Sequence, residues 1–185
     1  MSQELLRNLL VTATAAGVLA MPVAGQQPPP AAPPPARAED VASIDAIIAV
    51  LYDVISGPAA QPRDWDRFHS LFQPDARLIP TGQRPDGTVT ARTLTPEEFS
   101  ATVGPQFEER GFFEQEIGRV AETFGNIAHV FSAYESKRTA EDPEPFARGI
   151  NSIQLLNADD RWYIVSIFWD SERPGNPIPA KYLRR

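Results

Sequence analysis

Apolar residues recur at helical spacing in the segment 40–55. They fall at positions i, i+3, i+4, i+7 and i+11 and form one stripe: Ile44, Ile47, Ile48, Leu51 and Ile55. The sequence Ser56-Gly57-Pro58 follows, in which glycine can end a helix and proline cannot continue it. A shorter aromatic stripe covers 64–72, where Asp64 can cap the first turn. The pattern therefore predicts two amphipathic helices separated by a loop.

A third helix is predicted from the residues that begin it. Thr95 and Glu98 have the spacing of a capping box, and Pro96 stands at the first helical position. The pair Gly104-Pro105 is expected to kink or split this helix before Gly111, because proline lacks the N–H that a helix interior needs.

The pattern changes to strands from Phe112 onward. Two apolar runs are joined by Gly125-Asn126, and two more are joined by the acidic turn 157–160. A shorter hairpin is predicted earlier, around the turn 84–88. Helices first and a meander last predict an α+β domain with three N-terminal helices packed on a curved, mainly antiparallel sheet.

Pairing the strands outward from their turns predicts which side chains share a face. Centring the first hairpin on Gly125-Asn126 sets Ser132 opposite Arg119, and a plain turn after Ser136 sets Tyr134 opposite Asn151. Centring the last hairpin on Ala158-Asp159 gives one face that holds small residues, aromatic residues and a few neutral polar groups, with one charged residue at each end: Arg119, Ala121, Ala128, Ser132, Tyr134, Asn151, Ile153, Trp162, Ile164, Ser166, Phe168 and Asp170. The other face is more charged and includes Glu116, Val120, His129, Phe131, Glu135, Arg148, Ser152, Gln154, Tyr163 and Trp169. The first face is the predicted wall of a ligand pocket.

The two ends of the chain have different compositions from the middle. Residues 1–25 have the short apolar run and small residues before a cleavage point that are typical of a secretory signal peptide; a retained membrane anchor is the alternative. Residues 26–38 are rich in proline and predict an extended linker. The folded domain is then expected over 39–173, with a tail over 174–185, in the periplasm or outside the cell. No stable membrane span is expected after cleavage.

Composition excludes several function classes. The chain has no cysteine, which excludes a thiol nucleophile or thiolate metal site, and its two histidines form no cluster with carboxylates, so no metal or other cofactor is expected. The net charge of −7 argues against a nucleic-acid partner, which would need a basic face.

The segments WDRFHSLFQPDARLIP and RWYIVSIFW, together with the order of elements, resemble the NTF2-like superfamily. This superfamily has a cone-shaped fold that includes nuclear transport factor 2, SnoaL-type polyketide cyclases, ketosteroid isomerase and scytalone dehydratase. The resemblance covers about 41–170 and implies a deep pocket for a small apolar ligand and a homodimer through the sheet. The position that corresponds to the catalytic base of ketosteroid isomerase is Pro80 here. The position of its oxyanion-hole tyrosine falls near Val50, two residues from Tyr52. The isomerase reaction of that enzyme is therefore not expected.

The candidate site residues follow from the predicted pocket face. The catalytic candidates are Tyr134, His69 and Asp170; the ligand-binding candidates are Tyr52, Arg119, Tyr134, Asn151, Trp162 and Ser166. Each has a structural alternative, since buried tyrosine and asparagine need only satisfied hydrogen bonds and a lone histidine is commonly structural.

Three functions remain open from the sequence. One is binding of a small apolar or aromatic ligand without catalysis, and another is a SnoaL-like lyase, isomerase or cyclase using acid–base chemistry. The third is a dimerisation or scaffold module, which predicts a cone filled by side chains.

Overall fold

The computed structural model describes residues 34–183. The predicted signal peptide and the linker up to residue 33 lie outside this range. Three α-helices are present in it: α1 Ile44–Ile55, α2 Trp65–His69 and α3 Pro96–Arg110. The strands are β1 Phe72–Gln83, β2 Val89–Ala91, β3 Phe113–Phe124, β4 Ile127–Lys137, β5 Ala147–Ala158 and β6 Arg161–Ser171. Short 3-10 turns cover Ala38–Val41 and Ala180–Tyr182.

The six strands form one sheet in the order β2-β1-β6-β5-β4-β3. Only the β1–β6 pair is parallel, and every other neighbouring pair is antiparallel. The buried stripe of α1 packs against one face of this sheet and forms the hydrophobic core. The predicted α+β architecture, with three helices on a mainly antiparallel sheet, is confirmed.

Helix α1 begins four residues later than the sequence predicted. Ser43 is its N-cap, with its hydroxyl oxygen accepting from the Ala46 N–H at 3.1 Å. Asp40, expected inside the helix, lies in the preceding 3-10 turn and is buried. Its carboxylate accepts from Arg67 of α2 at 2.7 and 2.8 Å, which ties the first turn to the second helix.

Helix α3 has the predicted capping box at Thr95 and Glu98. The predicted split at Gly104-Pro105 was wrong, because one helix continues through Pro105 to Arg110. Packing accounts for this, since a Cβ at Gly104 would lie 3.3 Å from the Trp65 indole nitrogen. The close contact holds the helix in place where one backbone hydrogen bond is missing.

The predicted register of the last hairpin was wrong. Its turn is Asp159-Asp160, both with positive φ, rather than Ala158-Asp159. A register shift at Val165 then changes which β6 side chains face inward, as one extra residue does in a bulge. Ile167 and Trp169 therefore take the inward positions that the sequence assigned to Ser166, Phe168 and Asp170.

The register of the first hairpin was predicted correctly near its turn. Arg119 does lie opposite Ser132. A second shift at Ile117 sets Tyr134 opposite Glu116, which was predicted on the outer face. Asn151 pairs with Ser132 rather than with Tyr134.

The chain after β6 crosses the outer face of the sheet. Tyr182 stacks on Phe131 of β4 with ring centroids 5.2 Å apart. The Tyr182 carbonyl oxygen lies only 2.4 Å from where a Cβ at Gly118 would be, so the tail can approach β3 because that residue is glycine. Within residues 34–183, none of the helices is long and apolar enough to cross a membrane.

Candidate functional site

A cavity of about 250 Å³ lies between α1, α3 and the inner face of the sheet. Apolar side chains form most of its wall: Leu51, Ile55, Phe68, Leu78, Phe99, Val103, Phe107, Phe112, Phe146, Ala147, Ile167 and Trp169. Four polar residues also line it, and they come from three adjacent strands: Glu114, Tyr134, Ser136 and Asn151. An apolar wall with a few convergent polar groups is the usual composition of a small-molecule site.

Aromatic rings give the apolar wall its shape. Phe99 of α3 meets the Trp169 ring edge to face, with centroids 6.1 Å apart, and stacks on Phe68 of α2 at 5.6 Å. Phe107 and Phe112 stack nearly parallel at 4.0 Å. These arrangements are the offset-stacked and edge-to-face geometries that aromatic pairs favour.

Glu114 is the carboxyl group in this apolar wall. The Ser136 hydroxyl donates to its Oε2 at 2.8 Å, and the Asn151 amide lines the same cavity nearby. Its backbone N–H donates to the Ser56 hydroxyl at 2.9 Å, which anchors the start of β3 to the end of α1. Burial raises the pKa of Glu114 to about 7 against the lowering effect of the Ser136 hydroxyl, although the side chain keeps some exposure to the cavity.

Tyr134 faces the same cavity from β4. A Cβ at Gly149 would lie 2.6 Å from its hydroxyl oxygen, so the ring can cross β5 because that residue is glycine. Burial raises the pKa of Tyr134 to about 12, and the nearby Ser171 has a smaller, lowering effect. The tyrosine is therefore a neutral hydroxyl at physiological pH.

A chain of hydrogen bonds leads away from Asn151 toward β3. The Asn151 Nδ2 donates to the Tyr52 hydroxyl oxygen at 3.1 Å, and that hydroxyl contacts the Ser132 Oγ at 2.7 Å. Ser132 donates to the Glu116 Oε1 at 2.6 Å. Arg119 then contacts Glu116 through its Nε at 3.3 Å.

A second cavity, of about 440 Å³, lies between α1 and β3. Its wall is more polar and includes Tyr52, Asp53, Glu116, Arg119, Glu135 and Lys137. Glu114 contributes to the walls of both cavities. The hydrogen-bonded chain therefore begins beside the aromatic cavity and ends at the polar one.

Of the predicted ligand-binding residues, Tyr134 and Asn151 line the first cavity. Tyr52 and Arg119 line the second. Trp162 packs against the hydrophobic core and lines neither cavity.

The other predicted site residues lie elsewhere. Ser166 is on the outer side of the shifted β6 register, as is Asp170, whose carboxylate accepts from Arg173 at 2.8 Å. The His69 Nε2 contacts the Ser100 hydroxyl at 3.0 Å, and His69 lines neither cavity. The structure does not bring Tyr134, His69 and Asp170 together in one site.

Glu114 was missed by the sequence-based assignment. The sequence FFEQEIG places Glu114 and Glu116 two residues apart at the start of a strand, so both face the same side. Because of the register shift at Ile117, Glu114 and Glu116 lie on the opposite face of the sheet from the one predicted by counting back from the hairpin turn. Two acidic residues at alternate positions at the start of this strand were the available signal.

Residues 34–183 contain no group of three or more histidine, cysteine or acidic side chains arranged to hold a metal ion.

Comparison with known proteins gives similarity in structure alone. No protein-family model matches the chain, and no curated protein matches it either. A protein of unknown function with a cystatin-like fold from Nostoc punctiforme is 14% identical, with 70% of this chain and 88% of that chain covered and a TM-score of 0.52.

Two further solved structures are similar over comparable lengths. A protein from Novosphingobium aromaticivorans, provisionally named a scytalone dehydratase, is 13% identical, with 70% of this chain and 82% of that one covered and a TM-score of 0.51. An NTF-2 like protein of unknown function from Silicibacter pomeroyi is 16% identical, with 71% and 94% covered and a TM-score of 0.47. The two structures with TM-scores of 0.52 and 0.51 share the fold of this chain, and at identities of 14% and 13% they show the fold alone.

Proposed function

We propose that this chain, which has the NTF2-like cone fold, binds a small aromatic or largely apolar molecule in the cavity beside Glu114. The observation that supports this is one carboxyl group set in a wall of aromatic side chains, with the Ser136 hydroxyl donating a hydrogen bond to it. The cavity is slightly smaller than the range of about 300–1,000 Å³ that drug-sized ligands occupy. The ligand is therefore expected to be smaller than a drug, of one or two rings.

The ligand is expected to have one oxygen that meets Glu114. With a pKa of about 7, this carboxyl is present in both protonation states near neutral pH. It can then donate to a carbonyl oxygen or accept from a hydroxyl group. A hydrocarbon would leave the carboxyl without a new partner and lose affinity, because desolvated polar groups cost free energy when unpaired.

Ligand binding can be tested by thermal shift with a panel of phenols, aryl ketones and matched hydrocarbons. Oxygen-bearing members should raise the unfolding temperature of the wild type, and Glu114→Gln should reduce the shift. Glu122→Gln, which removes an exposed carboxylate on the same strand, is the matched control and should behave as wild type. If no member of the panel shifts the wild type, or if Glu114→Gln responds identically, the proposal is wrong.

A second candidate function is acid–base catalysis, as in a lyase, isomerase or cyclase, and Glu114 is the observation that favours it. A carboxyl with a raised pKa inside a cleft is a suitable general base near neutral pH. The Glu114 carboxylate would accept the proton from a carbon next to a substrate carbonyl, and the C–H electron pair would become that of the enolate. Protonated Glu114 would then return the proton to carbon.

Proton transfer can be tested separately from binding. The wild type should catalyse exchange of deuterium into small cyclic or aryl ketones, followed by proton NMR, with a rate that rises as pH passes through about 7. Glu114→Gln should abolish the exchange, and Glu122→Gln should leave it unchanged. Equal exchange by wild type and Glu114→Gln would assign the cavity to binding alone.

A further inference from the structure

The hydroxyl group of Tyr134 makes no hydrogen bond within residues 34–183, although this residue is only 5% exposed. In the same part of the chain, the only fully buried side-chain nitrogen or oxygen without a partner is the Arg119 Nη1. The Tyr134 oxygen is therefore not sealed in the core, and the cavity that it can reach is the aromatic one, which this residue lines. A buried hydroxyl without a partner costs free energy, and an acceptor on a bound ligand would remove that cost.

Packing across β5 determines where the Tyr134 hydroxyl lies. Tyr134 pairs with Gly149, and a Cβ at Gly149 would lie 2.6 Å from the hydroxyl oxygen and 2.8 Å from the ring carbon that carries it. The ring therefore lies over Gly149, with its hydroxyl directed away from β3. Ser171 of β6 is nearby, and the two hydroxyls form no hydrogen bond. The Tyr134 proton is thus available to an acceptor in the cavity.

The Glu114 carboxyl offers a ligand the complementary group. Its Oε2 accepts from the Ser136 hydroxyl at 2.8 Å. Its Oε1 has no hydrogen bond within the described residues, and it is not among the fully buried atoms that lack one. Oε1 is therefore the carboxyl oxygen that a ligand hydroxyl can reach.

The register of the strands sets the distance between these two groups. Glu114 pairs with Ser136, and Tyr134 lies two residues further along β4, which corresponds to about 7 Å. The Tyr134 ring then extends one strand further across the sheet, by about 5 Å. The two groups are therefore about 8 Å apart on one face of the sheet. A single aromatic ring with an oxygen substituent at each end matches this separation.

We propose that Tyr134 determines ligand specificity, and that the ligand is a single-ring phenol with a carbonyl group at the opposite end of the ring. The carbonyl oxygen accepts from the Tyr134 hydroxyl, and the phenol hydroxyl donates to the Glu114 Oε1. This inference rests on the proposed binding role of Glu114. It narrows the ligand from an aromatic molecule with one oxygen to one with two oxygens at a fixed spacing.

The charged side chains of the polar cavity do not take part in this arrangement. Four of them share that cavity with Glu114, and none of the four lines the aromatic cavity: Asp53, Arg119, Glu135 and Lys137. Each already has an ion-pair partner: Asp53 with Arg67, Arg119 with Asp45 and Glu116, and Glu135 with Lys137. Tyr134 lines only the aromatic cavity of the two. An effect of removing its hydroxyl therefore reports on a ligand in the aromatic cavity.

Calorimetric titration with two probes of nearly the same shape tests this assignment. The first probe, para-hydroxyacetophenone, has both oxygens, and the second, para-ethylphenol, lacks the carbonyl oxygen. Tyr134→Phe should weaken binding of para-hydroxyacetophenone roughly three- to tenfold, which is the range of one net hydrogen bond, and leave para-ethylphenol unchanged. The unchanged binding of para-ethylphenol also shows that the cavity of the variant is folded.

Two further variants complete the experiment. Glu114→Gln should weaken binding of both probes, because both present a phenol hydroxyl to this carboxyl group. Tyr163→Phe is the matched control, since it removes the hydroxyl of a tyrosine that lines neither cavity, and it should bind both probes as wild type does.

The outcomes separate this proposal from the proposed function. If Tyr134→Phe binds para-hydroxyacetophenone as tightly as wild type, or weakens both probes equally, the specificity role is wrong, and a loss in Glu114→Gln would still support the proposed function. If the wild type binds neither probe, or if Glu114→Gln binds both as wild type does, both proposals are overturned. A loss in Tyr134→Phe confined to para-hydroxyacetophenone, with a loss of both probes in Glu114→Gln, supports both.

Discussion

Glu114 shows how one residue can connect the stability of this fold with its chemistry. Its carboxyl group faces the aromatic wall, where the hydrogen bond from Ser136 favours the ionised form and burial disfavours it more strongly. Folding therefore binds a proton at this site that the unfolded chain would release near neutral pH. The burial that raises the pKa of Glu114 suits this residue to proton transfer, and it also destabilises the folded state when the carboxyl group is ionised.

The stability of the protein should depend on pH through Glu114. Because the folded pKa, about 7, lies above the ordinary value of 4.5, the native state binds more protons than the unfolded state between these two values. The stabilising contribution of the protonated group is complete below 4.5, declines as pH rises and is absent above about 7. The difference between the two pKa values corresponds to a change of roughly 3 kcal/mol in the free energy of unfolding.

Urea unfolding at pH 5, 6, 7 and 8 checks this expectation. The free energy of unfolding of Glu114→Gln should rise relative to wild type by about 2.5 kcal/mol between pH 5 and 8, since part of the contribution is already lost at pH 5. Both histidines are present in both proteins, so their titration cancels in the difference. Glu122→Gln controls for loss of one carboxylate, and a constant difference for Glu114→Gln would contradict the raised pKa.

The candidate site could be predicted only in part at this scale. Tyr134 and Asn151 were assigned to a pocket face, and both line the aromatic cavity. Asp170 was assigned to the same face and lies on the other side of the sheet. Alternation gives the face of a residue relative to its neighbours, and any irregularity between the residue and the turn reverses it.

The elements themselves followed from local patterns. The stripe of α1, the capping box of α3 and the turn at Gly125-Asn126 depend on residues a few positions apart, so they could be read from the sequence. The shifts at Ile117 and Val165 depend on how whole strands curve over the helices. No short-range signal in the sequence indicated them, and they decide which carboxyl group enters the cavity.

Arg63 holds the ends of two helices together. Its side chain is only 7% exposed, and its guanidinium donates to backbone oxygens rather than to a carboxylate. The acceptors are the carbonyl oxygens of Ile55, Gly57, Pro58, Gln61 and Phe107. The last carbonyl groups of a helix have no partner within it, and Arg63 supplies one to Ile55 at the end of α1.

Replacing Arg63 should therefore destabilise the fold. Arg63→Met is expected to lower the free energy of unfolding by about 2–4 kcal/mol, since several buried carbonyls lose their donor. Arg63→Lys should recover only part of this, because an ammonium group cannot reach acceptors on both helices from one point. Arg92→Met, at an exposed position, is the control. Urea unfolding with Arg63→Met within about 0.5 kcal/mol of the control would contradict this role.

At the scale of the whole molecule, the C-terminal tail decides how much of the sheet is available to a partner. Tyr182 covers Phe131 on the outer face, and the backbone of 182–183 lies against Gly118. Val120 and Phe168 remain exposed on that face, at 37% and 47%. A homodimer through the sheet, which stays a proposal, would have to use this uncovered part or displace the tail.

Gly118→Ala should release the tail without touching either cavity. A Cβ at this position would lie 2.4 Å from the Tyr182 carbonyl oxygen, and backbone on both sides leaves little room for adjustment. Trypsin cleavage after Lys181, followed by mass spectrometry, should be roughly tenfold faster than in wild type, as expected for a local opening made easier by about 1.4 kcal/mol. Gly82→Ala is the matched control, because its Cβ would meet only Thr90 Oγ1 at 3.7 Å.

Release of the tail should also expose the Phe131 ring, so Gly118→Ala can be used to test the proposed dimer as well. If a second copy pairs through this face, Gly118→Ala should associate at lower concentration than wild type in light scattering, because more apolar surface becomes available. Equal association of the two proteins, with faster cleavage in the variant, would place any dimer contact away from Phe131. Equal cleavage as well would show that β3 tolerates the Cβ and that the tail is not held by Gly118.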